Sequence, residues 1–64
     1  MCLARVYLDR NGERELLLDE VAVVELAGGK LVLRTIFNEQ RIVDASIRQI
    51  DFANSNVILE KAGS

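Results

Sequence analysis

One side chain in this sequence combines nucleophilic character with affinity for soft metals, and it stands second: Cys2, in Met1-Cys2-Leu3-Ala4. There is no histidine and no other cysteine, so one chain cannot build a Cys/His zinc site or an internal disulfide. At position 2 the thiol lies beside the α-amine. Trimming of Met1 makes Cys2 the terminal residue, with an amine pKa near ~8 and a thiol pKa near ~8.5. A bound metal lowers both, and nitrogen and sulfur then close a five-membered chelate ring. One such arm is a weak site. Two arms related by a two-fold axis give an N₂S₂ set, suited to square-planar Ni(II) and tolerable to Cu(II). With Met1 retained, the set becomes the Met1 amine, the deprotonated Cys2 amide nitrogen and the Cys2 thiolate. Two other readings of Cys2 stay open on the residues alone: a small hydrophobe at a strand end, and a Cys2–Cys2 disulfide between chains acting as a redox sensor.

Catalytic readings find little support. No histidine is present as a general base, no G-x-S-x-G elbow occurs, and no glycine-rich phosphate loop precedes a helix. Gly28-Gly29 reads as a hairpin turn. Asp19 and Glu20 are adjacent, and neighbours on a strand point to opposite faces, so they read as a solvated turn. The sequence points away from an enzyme.

At 64 residues the chain is a single domain, residues 1–64. A domain this small buries only about 60% of its unfolded surface, and without disulfides or an internal zinc site it is expected to self-associate. Half the residues are hydrophobic, which suggests a second apolar surface facing protein. The formal charge is −2, and the eight Lys and Arg residues are spread singly. A nucleic-acid surface needs a positive patch, often with stacking rings, and the balance is against one. No secretory signal and no membrane-spanning apolar run are read, and a lone free thiol suits a reducing compartment. The expected setting is cytoplasmic.

The elements that must position Cys2 read as short strands separated by turns. "CLARVYLD" alternates, with Cys2, Ala4, Val6 and Leu8 on one face. "RNGE" turns the chain. A three-residue loop ending at Gly12 is expected, because it puts Leu16 and Leu18 on the face of Val6 and Leu8; a two-residue loop would pair Leu8 with Glu15. "DEVAVVELAGGKLVLRTIF" is the strongest hairpin. Pairing across Gly28-Gly29 gathers Ala22, Val24, Leu26, Leu31, Leu33 and Phe37 on one face. The other face mixes Val21, Val23, Val32 and Ile36 with Glu25, Lys30 and Arg34, and is the expected dimer interface. "RIVD" and "SIRQIDF" follow, the latter with a bulge or one helical turn at Ile47–Ile50. After "ANSN" comes "VILE", and residues 61–64 are expected to be loose. The expected fold is all-β: a small antiparallel barrel or sandwich of five to seven strands, homodimeric.

Taken in order, Met1-Cys2-Leu3-Ala4, the pattern "DEVAVVELAGGKLVLRTIFNEQ" and the closing "IRQIDFANSNVIL" resemble the CooT family over nearly the whole length. These are small nickel-binding proteins associated with maturation of nickel-dependent carbon monoxide dehydrogenase. The resemblance implies a homodimer holding one Ni(II) through Cys2 of each subunit, with a nickel-enzyme client. Proteins of this type are sometimes labelled RNA-binding, which the acidic balance opposes. The HypC-type chaperones of hydrogenase maturation also open Met-Cys-Leu-Ala, but they continue into a proline turn, and this chain has no proline. The competing class is an interaction module that docks a protein or RNA through the mixed face, indifferent to Cys2.

Overall fold

The computed structural model describes residues 3–61. Six strands follow in order: β1 (Ala4–Arg10), β2 (Glu13–Ala27), β3 (Lys30–Thr35), β4 (Gln40–Val43), β5 (Ala45–Asp51) and β6 (Asn56–Lys61). They form one sheet in the order β4-β3-β2-β1-β6-β5. The fold is all-β, a curled half-barrel, as the strand-and-turn spacing leads one to expect. All neighbours are antiparallel except β1 and β6, which run parallel.

Chain connectivity forces the curl. Five strand spacings of about 4.8 Å would separate the outer strands of a flat sheet by roughly 24 Å. Here those outer strands, β4 and β5, are joined by Asp44 alone, and one linking residue spans no more than about 7 Å. Arg41 on β4 reaches back across the curl and donates from Nη1 to the Leu17 carbonyl at 2.8 Å.

Strand β2 makes this possible by bending. It is 15 residues long and pairs with β1 along its first half and β3 along its second. Leu17 is an extra residue between the Tyr7–Leu16 and Val6–Leu18 pairs, and Asp19 and Glu20 together stand against Arg5. Ala22 is extra between the Val21–Thr35 and Val23–Arg34 pairs. Each bulge adds twist and bends the strand.

These bulges also explain where the expected pattern fails. The first turn is the two-residue Asn11-Gly12 loop, pairing Arg10 with Glu13 and Leu8 with Glu15. Asn11 (φ 51°) and Gly12 (φ 85°) both take the left-handed conformation that a type I′ hairpin requires. Leu18 still returns opposite Val6, through the Leu17 bulge rather than a longer loop. Val21, assigned to the outer face, is only 2% exposed and lies in the core, because the Ala22 bulge reverses the facing of the residues before it. Ala22, Leu26 and Phe37 are exposed instead, the last two at 77% and 68%. The bulge in β5 is present, at Arg48. Lys61 is a strand residue paired with Ala45.

The core gathers Val6 and Leu8 from β1, Val21 from β2, Leu31 and Leu33 from β3, Ala45 from β5, and Val57 and Leu59 from β6. Burying a side chain of this kind contributes roughly 1.5–3 kcal/mol. With so few core residues, every one matters.

Candidate functional site at the start of the central strand

Met1 and Cys2, the residues that carry the expected chemistry, lie outside the described residues. Their attachment point is well placed. β1 lies inside the sheet, with β2, β3 and β4 towards one edge and β6 and β5 towards the other. Its first residue, Ala4, pairs with Val21, which in turn pairs with Thr35. On the other side Arg5 is level with Asn56, and Asn56 pairs with Asp51. The Arg5 amide also donates to the Ser55 carbonyl at 2.9 Å.

Two turns therefore flank the start of β1. Residues 36–39 close the β3–β4 turn, and the Ile36 amide donates to the Glu20 carbonyl at 3.1 Å. Residues 52–55 close the β5–β6 turn. Each turn carries one of the chain's two phenylalanines, and both are turned to solvent: Phe37 as above, and Phe52 at 86% exposure. Ile36 and Ile50 beside them are exposed as well.

Polar groups at this end are unevenly satisfied. Arg5 and Asp19 approach to 3.7 Å. The Asp51 carboxyl is held below its ordinary value of 3.8, chiefly by the Asn54 side-chain amide and then by the Asn54 backbone N–H. Glu20 takes a left-handed φ of 56°, and its amide donates to Asp19 Oδ1 at 2.7 Å. Glu20 Oε2 and Asn56 Oδ1 are buried and accept no hydrogen bond among the described residues. Glu20 precedes the β2 partner of Ala4, and Asn56 is level with Arg5, so the two stand on opposite sides of β1.

The expected interface residues are dispersed. Val21 is in the core, Val32 is half-buried between Glu25 and Ile42, and Val23 stands beside Arg34. Arg34 and Glu25 on that face approach each other at 3.8 Å. Ile36 is the exposed one of the four at the end around β1, where Val21 also stands, turned inward. Sequence reasoning passed over the exposed Phe52, set Phe37 on the apolar face of the hairpin, and read Asp19-Glu20 as a solvated turn, whereas both lie within β2 and Glu20 Oε2 is buried. Phe52 had a signal, since it interrupts the strand alternation next to a polar turn; Glu20 had none.

Among the described residues no three His, Cys, Asp or Glu side chains converge as a metal cluster, and no helix is long and apolar enough to cross a membrane.

Comparison with known proteins gives one family and one fold. The sequence profile described as "CO dehydrogenase accessory protein CooT" matches residues 1–60. The crystal structure described as "putative CooT from Carboxydothermus hydrogenoformans" superposes with a TM-score of 0.91 at 22% identity, covering 97% of this chain and 100% of that one. At that identity the likeness speaks for the fold. No curated protein sequence matches. The profile spans almost the entire sequence, and the chain belongs to the CooT family, accessory proteins of CO dehydrogenase rather than catalysts themselves.

Proposed function

We propose that this chain binds Ni(II) as cargo for CO dehydrogenase maturation, one ion held between two copies by Cys2 of each. The observation that carries the reading is the pairing of family membership with a single cysteine at position 2. Each copy brings one thiolate and one terminal amine, or the Met1 amine and Cys2 amide nitrogen where Met1 is retained. Two thiolates select nickel, copper or zinc over magnesium or calcium, and a planar N₂S₂ set disfavours zinc, which prefers a tetrahedron. No bond in a substrate is made or broken; the work is reversible capture and release. Because thiol and ammonium must lose protons to ligate, affinity falls as pH is lowered. The reducing cytoplasm keeps such a thiol free.

A native mass spectrum of reduced protein with added Ni²⁺, beside Cys2→Ala, tests the reading. One nickel per wild-type dimer and none on the variant is the expected result, and the same masses report whether Met1 is present. Nickel bound equally by Cys2→Ala, or by neither protein, overturns it.

A further inference from the structure

Three strands carry a cation at the core-facing position next to their apolar residues. On β1 the alternation Val6, Leu8 continues to Arg10, and on β6 Val57, Leu59 continues to Lys61. Leu8 is level with Leu59, so Arg10 and Lys61 come next to each other two residues on. On β4 Arg41 stands two residues before Val43. These three cations and a single acid, Asp44, border one cleft of about 280 Å³. Its floor is apolar: Leu8 and Ala45 belong to the core, and Leu17 and Val43 pack against it. The cleft lies at the close of β1, away from the start that carries Cys2, and needs no metal.

We infer that this cleft binds a small monocarboxylate with a branched apolar stem, the stem on Leu8, Leu17, Val43 and Ala45 and the carboxylate among Arg10, Arg41 and Lys61. The chain as a whole carries −2, so the border of the cleft is opposite in sign to the molecule. Glu15 approaches Arg10 only to 3.9 Å, with both side chains more than half exposed, and such a pair competes weakly with a ligand. Arg41 is already positioned, because its Nη1 donates to the Leu17 carbonyl at 2.8 Å; its other N–H donors suit a carboxylate. Lys61 adds a point charge. A long stem covering apolar surface explains one cation at a core edge. Three from three strands around one apolar recess make a receptor for an anion with an apolar body. The volume falls just below the roughly 300–1,000 Å³ of pockets for drug-sized ligands, which sets the size of the acid.

Amide shifts of the full chain on titration with isovalerate, its neutral amide isovaleramide, and acetate, all at one ionic strength, test this. Isovalerate is expected to shift Leu8, Leu17, Val43 and Lys61 saturably, with a Kd on the order of 1 mM. Isovaleramide lacks the charge and acetate lacks the stem, so each is expected to bind about tenfold more weakly or worse. N-acetyl-leucine beside N-acetyl-leucinamide separates the sources of the carboxylate. Tighter binding of N-acetyl-leucine than of isovalerate identifies a peptide terminus, the reverse a free acid, and either upholds the site. Arg10→Met/Lys61→Met removes two charges and keeps apolar stems over the core edge. It is expected to unfold in urea as wild type does and to lose about tenfold or more in affinity for isovalerate. The absence of a saturable shift overturns the inference, as does equal binding of isovalerate and either control. Full affinity in the double variant overturns it too, leaving the cations as cover for the core.

Discussion

Two kinds of turn hold this sheet together. The β1–β2 and β2–β3 hairpins close on Asn11-Gly12 and Gly28-Gly29, two-residue loops whose positive φ angles give type I′ geometry. The β3–β4 and β5–β6 turns contain no glycine. They put Asn38 (φ 67°) and Ser55 (φ 56°) in the left-handed region and fix their backbones with side chains. Thr35 Oγ1 accepts from the amides of Phe37 and Glu39, both at 3.2 Å. Asp51 accepts from the Asn54 amide at 3.2 Å and its side-chain nitrogen at 2.9 Å. Division is not absolute, since Asp9 Oδ1 also accepts from Gly12 at 3.1 Å. A glycine turn is shaped by what the backbone permits; a side-chain turn depends on one specific acceptor. The second kind flanks the start of β1 and presents the exposed phenylalanines.

The largest effect is expected at Thr35, which is 4% exposed. Thr35→Val keeps the shape and leaves two amides without their acceptor, a cost of about 2 kcal/mol. Thr35→Ser restores most of it. Urea unfolding of the three proteins checks this, and a Thr35→Val protein as stable as wild type would show that the hydroxyl does not hold the turn.

Glu20 sets a test of opposite sign at the same end. Its left-handed φ costs a non-glycine residue about 1–2 kcal/mol, and its buried carboxylate oxygen has no donor among the described residues. Glu20→Gly is expected to stabilise the protomer by about 1 kcal/mol, after the flexibility that glycine gives the unfolded chain is subtracted. Thermal unfolding of Glu20→Gly beside wild type checks this, and a variant less stable than wild type would show that the carboxylate contributes more than its backbone costs. On the glycine side, Gly29→Ala places a Cβ in open space but at φ 83°, so only backbone strain counts. The expected loss is about 1 kcal/mol.

The two kinds of turn differ in how readable they are. Gly28-Gly29 and the strands beside it follow from composition, because φ > 0 at both loop positions demands such residues and β-branched neighbours favour strand. Asn11-Gly12 carried the same signal, yet alternation argued for a longer loop. The conflict was settled by a bulge at Leu17, which alternation cannot foresee because a bulge is a break in it. Val21 was misplaced for the same reason, one residue before Ala22. Thr35 and Asp51 were not recognisable as turn-fixing residues, since their partners lie two to four residues on and depend on a fold already formed. Cys2 stands out by type and position alone, whereas the two turns that flank the start of β1 come together only through the sheet order.

The smallest effect is one that only the side-chain turns can show. Asp51 lies below its ordinary value of 3.8 because Asn54 donates to its ionised form, first from the side chain and then from the backbone. Its folded pKa is thus depressed relative to the unfolded chain, so the folded state binds fewer protons. The stabilisation is fully present above 3.8 and is lost as pH falls through the folded value. Asn54→Ala removes the larger of the two bonds and is expected to flatten the stability curve below pH ~4: the variant is slightly less stable than wild type at neutral pH and converges with it as Asp51 takes up its proton. Gly29→Ala, by contrast, shifts stability by the same amount at every pH. Denaturation midpoints at stepped pH for both variants decide the matter: parallel curves for Asn54→Ala and wild type would mean that Asp51 contributes no linkage, and the two kinds of turn would then differ in shape alone.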